Sequence, residues 1–270
     1  MLGGAELVEA TSDGEPGDKS RFVRGVERML LAEEAEIGVH SAKDLPSEMP
    51  EGLEIASVPT REEPADVWIG VGDSLDEVPE GGRVGTASLR RRAQLLAARP
   101  DLRIEELHGN VDTRLRKLEE GELDAIVLAA AGLRRLGREG EISFALPVEQ
   151  MVPAAGQGAL ALQVRTDDSA SGDAAEAVND LTAMRELTAE RTVVALLDAS
   201  CATPLGVHAR IEGEALAVDA FVGLPDGSEW LRDHLEGRAD EPALAGAELV
   251  QRLLAAGARE LLDRAEEAND

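Results

Sequence analysis

The sequence predicts an α/β protein that ends in a smaller α+β part, and three observations carry that reading. Between residues 83 and 135, short apolar runs alternate with helical patterns, which implies right-handed βαβ units and a parallel sheet. Further on, period-two alternation over residues 207–211 and 216–222, with a Pro225-Asp226-Gly227 turn, predicts antiparallel strands. Last, an apolar stripe at Leu249, Leu253, Leu254 and Leu261 predicts a closing helix over 244–265. A chain of 270 residues is long enough to bury two or three such domains.

The first element is the apolar run Ile37-Gly38-Val39, read as the end of a buried strand, followed by HSAKDLP at 40–46. In an open α/β sheet, ligands sit beyond the carboxyl ends of the strands. Lys43 and Asp44 are therefore expected to meet a ligand as a fixed cation and a fixed anion. Taken alone, the same pair reads equally as a surface ion pair. The polar stretch Thr60-Arg61-Glu62-Glu63-Pro64 marks the entry to a second domain. There Arg83-Val84-Gly85 ends a strand, and a helix over 89–96 follows with Thr86 or Ser88 as its N-cap. A helix N-terminus offers free N–H groups to an anion. Arg90 and Arg91 lie in that first turn, where the helix dipole disfavours cations. A bound anion would relieve the conflict.

The next unit repeats the logic. A strand over 102–105 leads through the tight turn His108-Gly109-Asn110-Val111 to a helix over 112–118, with Arg114 in its first turn. A buried strand over 124–129 precedes the helix holding Arg134 and Arg135. Parallel units place all these helix starts at one rim of the sheet, so the arginines converge there for topological reasons.

Charge follows the same map. The chain carries 54 acidic and 27 basic residues, a net charge of -27, which argues against nucleic acid or anionic membrane as a partner of the whole surface. Only three of the basic residues are lysines: Lys19, Lys43 and Lys117. Yet residues 83–138 hold twelve basic residues against eight acidic ones. A cationic island in an acidic protein suggests a site for a small polyanion; solvated helix faces with ion pairs account for part of it. The single cysteine, Cys201, allows no intrachain disulfide, and the four histidines show no metal-ligand spacing. The N-terminus lacks the basic start and apolar core of a signal peptide, and no apolar run is long enough to span a membrane. A cytosolic protein without a cysteine or histidine metal cluster is expected.

Six segments in order carry a family resemblance: HSAKDLP, GTASLRRRAQLL at 85–96, HGNVDTRLRKL at 108–118, DAIVLAAAGLRRLG at 124–137, PAAGQGAL at 153–160, and the lone cysteine before TPLG at 203–206. From about Ser20 onward the chain closely resembles the porphobilinogen deaminases, also called hydroxymethylbilane synthases. The resemblance implies two doubly wound domains of the two-lobed solute-binding type and a smaller α+β domain with an antiparallel sheet. It divides the chain into residues 1–58 plus 159–177, residues 64–152, and residues 181–270.

The resemblance also implies the chemistry. Members join four porphobilinogen molecules head to tail, release ammonia at each step, and free the linear tetrapyrrole by hydrolysis. They work without metal on a dipyrromethane cofactor held by a thioether, and the matching sulfur here is that of Cys201. The matching catalytic group is Asp44. Loss of ammonia leaves an electron-poor azafulvene cation, which a fixed carboxylate in a water-poor cleft stabilises. Each pyrrole brings an acetate and a propionate, which accounts for the cationic island. By match, Arg90, Arg91 and Arg114 grip those carboxylates, with Lys43, Ser41, Thr86 and Ser88 assisting. Lys19, His108, Asn110, Arg135 and Gln157 match positions that meet the substrate, Gln157 in a hinge turn whose glycines fit a close backbone approach.

Three departures from the family pattern stand out. A strand carrying Arg-Gly-Ser and a helix are expected ahead of the matched stretch, with Met1 to Gly4 as that helix's tail, so an incomplete first domain is expected. His108 stands in place of the usual arginine and is a weaker clamp. Ala199 and Ser200 replace glycines beside the cysteine. An active monomeric deaminase, an inactive remnant and a two-lobed carboxylate-binding protein all remain open at this point.

Overall fold

A computed structural model describes residues 6–10, 20–199 and 203–268 of the chain. The first body is a three-stranded sheet of β1 (Gly38–Ser41), β2 (Leu53–Ser57) and the returning β8 (Leu160–Arg165), in the order β1-β8-β2. Both pairings are antiparallel, so β1 and β2 run alike on either side of β8. Helix α1 (Ser20–Leu31) packs beside β1, and α5 (Ser169–Glu176) follows β8. The run read as a buried strand is an edge strand among the described residues: Gly38 and His40 face inward, while Val39 is 56% exposed. A three-residue apolar run cannot distinguish burial on one face from burial on two, because side chains alternate along a strand.

The second body is a five-stranded sheet, ordered β5-β4-β6-β3-β7, of β3 (Asp66–Gly70), β4 (Arg83–Gly85), β5 (Arg103–Glu105), β6 (Ala125–Ala129) and β7 (Phe144–Leu146). As expected from the alternation, β4 is parallel to β5 and to β6. The sheet as a whole is mixed, however, because β3 runs antiparallel to β6 and β7. Parallel neighbours need a crossover element. The link from β3 to β4 holds only a short 3-10 turn at Leu75–Glu77, so that pair builds no βαβ unit. Helices α2 (Leu89–Ala98), α3 (Val111–Glu119) and α4 (Ala130–Arg135) follow the three parallel strands. Alternate strand residues feed two cores. Trp68, Val84 and Val127 pack with Leu95 of α2 on one face. Val67, Ile69, Ile126 and Leu128 pack with Leu115 of α3 and Leu133 of α4 on the other. This double covering makes the body doubly wound.

The third body pairs β9 (Leu205–Glu212), β10 (Ala215–Gly223) and β11 (Trp230–Arg238) in a fully antiparallel sheet, covered by α6 (Leu181–Leu196), α7 (Pro242–Ala255) and α8 (Ala258–Glu267). The single closing helix expected over 244–265 is two helices. Gly257 adopts φ 97°, a left-handed conformation open to glycine, and its N–H closes on Leu254 O. Leu249, Leu253 and Leu261 of the predicted stripe are buried; Leu254 is not.

Helix α6 belongs to two cores. Ala183 and Leu187 sit with Ala42, Leu45 and Val58 of the first body, while Ala189 and Val193 sit in the third. The third body also rests on the second. Phe221 packs with Ala93 and Val152, the turn at Gly227 abuts Leu96 and Ala97 of α2, and Arg232 bonds the carbonyls of Val148 and Glu149. No described helix is long and apolar enough to cross a membrane.

Candidate functional site

Arg90 and Arg91 are buried, and the anion that answers them is internal. Asp66, the first residue of β3, accepts from Arg90 Nη1 at 2.6 Å, Arg91 Nη2 at 2.7 Å and Arg91 Nε at 2.9 Å. Burial would raise the Asp66 pKa, but the two guanidinium groups and Gln157 outweigh it and hold that carboxyl well below the usual range. Arg90 also donates to Val152 O and Arg91 to Val127 O, which fixes both side chains against the second body. The conflict between first-turn cations and the helix dipole is thus met by Asp66, which no local sequence pattern marks.

One carboxylate does not exhaust the cluster. Arg114, half-buried on α3, donates from Nε to Gly109 O at 2.9 Å. Burial first, and the positive charge of Arg91 second, draw its pKa below the ordinary arginine value. Arg114 therefore shares the field of Arg91 and is a third cation beside the pair that Asp66 holds. Among the described residues, Nε and Nη2 of Arg90 carry no hydrogen bond. Ser88 caps α2 by accepting from Arg91 N, and Thr86 Oγ1 accepts from Ser88 N at 3.1 Å. Both predicted cap residues thus shape the turn that presents Arg90 and Arg91.

The turn after β1 carries the predicted Ser41, Lys43 and Asp44. Ala42, Lys43 and Asp44 form a 3-10 turn; Lys43 and Asp44 are half-buried, as is Ser41 at the strand end. The Asp44 carboxylate makes no hydrogen bond among the described residues. The Gly156-Gln157-Gly158 turn links the turn at Asp44 to Asp66. Gly156 (φ 71°) and Gly158 (φ 88°) both need the left-handed region. A Cβ on Gly156 would lie 2.8 Å from Ala42 C and 2.9 Å from Lys43 N, and one on Gly158 would run into Glu62 O. Between them Gln157 is fully buried and donates from Nε2 to Pro64 O at 2.6 Å and to Asp66 Oδ1 at 3.0 Å. Its Oε1 is buried without a donor among the described residues.

A second network, unforeseen from the sequence, fixes this turn to the third body. Arg61 donates from Nε to Gln157 O at 3.0 Å and through Nη1 and Nη2 to Glu190 at 2.8 and 3.1 Å. Glu190, on α6, also accepts from Gly156 N at 2.6 Å and Ala209 N at 2.8 Å. Glu186, one turn earlier, accepts from Ile211 N at 3.0 Å. Its pKa is raised, chiefly by burial. The spacing of Glu186 and Glu190 at i and i+4 was the available signal, since it puts both carboxylates on one helix face.

The other expected contacts have partners within the protein. His108 pairs with Glu106 at 2.6 Å, and its side chain is 60% exposed. Asn110 caps α3 by accepting from Thr113 N at 2.9 Å. Arg135 donates to Gly158 O at 2.7 Å, so it braces the hinge turn. Part of the cationic island consists of surface pairs: Arg83 with Asp124, Arg99 with Asp101, Arg116 with Glu120, Arg134 with Glu62, and Arg138 with Asp112. Lys19, Cys201 and the Met1–Gly4 segment lie outside the described residues. A cleft of about 630 Å³ between residues 61–65, residues 142–148 and His208 includes none of the predicted site residues in its lining.

Comparison with known proteins agrees across the chain. Residues 8–173 match the family described as "Porphobilinogen deaminase, dipyromethane cofactor binding domain", and residues 184–255 match "Porphobilinogen deaminase, C-terminal domain". The porphobilinogen deaminase of Campylobacter concisus is 45% identical over 254 residues, covering 93% of this chain and 82% of that protein. That of Thiobacillus denitrificans is 46% identical over 248 residues, covering 92% and 81%. Among solved structures, a TRAP periplasmic solute binding protein from Desulfovibrio salexigens aligns with a TM-score of 0.39 at 12% identity, over 60% of this chain and 58% of that one.

Proposed function

The chain belongs to the porphobilinogen deaminase family, and we propose that the Asp44 turn and the Arg90–Arg91–Arg114 cluster are the two working walls of its cleft. The protein is a transferase of tetrapyrrole biosynthesis that polymerises porphobilinogen into hydroxymethylbilane with release of ammonia, and it uses a dipyrromethane cofactor.

The residues present fit that cofactor. Its carboxylates call for cations beyond those already neutralised; Arg90 and Arg91 share a single internal carboxylate here, and Arg114 has no carboxylate partner among the described residues. Its pyrrole N–H groups call for acceptors; Asp44 has no described partner, and Gln157 Oε1 is buried without a donor. Cys201 is the anchor by family match. When bound, the dipyrromethane supplies the pyrrole end that is extended.

The protein's own groups then divide the work. Arg90, Arg91 and Arg114 hold acetate and propionate substituents, and the charge-assisted bonds set the register of the rings. Asp44 accepts a pyrrole N–H and stabilises the positive charge that develops as ammonia leaves; a fixed carboxylate is worth most where water is excluded. Lys43, Ser41, Thr86 and Ser88 support the cofactor. Lys19, Asn110, Arg135 and Gln157 serve the substrate, Arg135 and Gln157 through the hinge turn, whereas His108, exposed and paired with Glu106, adds little. The observation that carries this reading is the Gly156-Gln157-Gly158 turn, which touches the Asp44 turn on one side and binds Asp66, the counterion of the cradle, on the other. A cytoplasmic monomer that binds neither membrane nor nucleic acid is the setting that fits the charge of -27. Intact-mass measurement tests the reading: the purified protein is expected to be heavier than its sequence by two linked pyrrole units and to colour with Ehrlich's reagent. A Cys201→Ala variant is expected to do neither; an adduct in that variant would remove Cys201 from the scheme.

A further inference from the structure

Arg191 lies on α6, and no carboxylate pairs with it among the described residues. Its Nη2 donates to Pro46 O at 2.9 Å and to Ser47 O at 3.0 Å. Both carbonyls belong to the turn that directly follows Asp44. Burial alone draws the Arg191 pKa below the ordinary value. A half-buried guanidinium without an anion carries a cost that methionine or leucine in the same space would not.

The backbone around Asp44 shows what the guanidinium does there. Upstream, Ala42 N donates to Ala159 O at 3.0 Å and Gly156 abuts Ala42 and Lys43. Leu45 is anchored in the first core. Downstream comes Pro46, which has no N–H to give. That side of the turn is held through its carbonyls, and Arg191 is the described side chain that holds them. With no bond of its own among the described residues, the Asp44 carboxylate takes its direction from this backbone.

We infer that Arg191 is a positioning residue for the reaction, fixing the Asp44 turn to the helix that leads in sequence to Cys201. The inference rests on the reading of Asp44 as the catalytic carboxylate. The test uses the holoenzyme and compares Arg191→Met, Arg191→Gln and Arg191→Lys, each alone and with Asp44→Ala. The expected result for Arg191→Met is a normal cofactor mass, a kcat lower by about tenfold and a KM for porphobilinogen within about twofold of the parent, because the arginine cradle is untouched. Lysine is expected to recover most of kcat, since an ammonium also donates to two carbonyls, with glutamine intermediate. In the Asp44→Ala background, with residual turnover read at high enzyme concentration, Arg191→Met is expected to cost nothing further. Should Arg191→Met not fold, the order lysine above glutamine and its loss in the Asp44→Ala background still decide the matter. Parental kcat in the single variants overturns the inference, as does an equal loss in both backgrounds. An inactive Asp44→Ala beside a fully active Arg191→Met removes this inference alone, and an active Asp44→Ala removes the catalytic reading beneath it.

Discussion

Gln157 Nε2 lies 3.0 Å from Asp66 Oδ1, so the hinge turn and the arginine cradle share one buried carboxylate. Asp66 also takes Arg90 and Arg91. Any change at Asp66 is therefore felt at the hinge and at the cradle together.

Asp66→Asn is expected to lower stability by about 3 kcal/mol, because it leaves two buried guanidinium groups without their anion. Urea denaturation checks this, and a loss below about 1 kcal/mol would mean that water or other groups take over the arginines. The sign with pH follows from the lowered pKa. The folded state holds Asp66 ionised where the unfolded chain would protonate it, so its contribution is present above the unfolded value of about 4 and fades as pH falls below it. The stability difference between parent and Asp66→Asn is expected to shrink on acidification below about pH 4.

Arg61→Leu is expected to destabilise by about 3–5 kcal/mol, since it strands Glu190 at full burial. Glu190→Gln is expected to cost less, because an amide oxygen still accepts from Gly156 N or Ala209 N. Calorimetry that ranks the two the other way would contradict the arrangement.

Gly158→Ala is expected to reduce both activity and stability, the latter by about 1–3 kcal/mol, because φ 88° strains a side-chain-bearing residue and its Cβ meets Glu62 O. Thermal unfolding and turnover measure the two effects. Unchanged values would show a hinge that yields easily.

Arg91→Leu and His108→Ala form a contrast. The first removes a cradle cation and is expected to abolish cofactor assembly or chain elongation, read by intact mass and turnover. The second removes an exposed group already paired with Glu106 and is expected to change kcat/KM by less than about threefold. A large effect of His108→Ala would place it in the cleft after all.

Particular elements show where the sequence was legible. Strands β4, β5 and β6 and the helices after them could be read because each is a local apolar run beside a local helical pattern. The antiparallel β3 could not be assigned to the sheet from such a pattern, since its direction depends on a link that carries only a 3-10 turn. The split between α7 and α8 turned on Gly257, which a continuous apolar stripe conceals. At the site, Arg90 and Arg91 drew attention by opposing the helix dipole. Their counterion Asp66 did not, because it sits 24 and 25 positions away behind a proline-bearing linker. Arg61 read as linker polarity, and α6 shows no single apolar face because two cores bury its two halves.

The central claim is that Asp44 carries the charge that develops as ammonia leaves, and turnover of Asp44→Ala holoenzyme tests it most directly. The expected result is a protein with the parental mass increment and parental folding whose kcat has fallen by at least about a hundredfold. Turnover within about threefold of the parent, at the same cofactor content, would contradict the account.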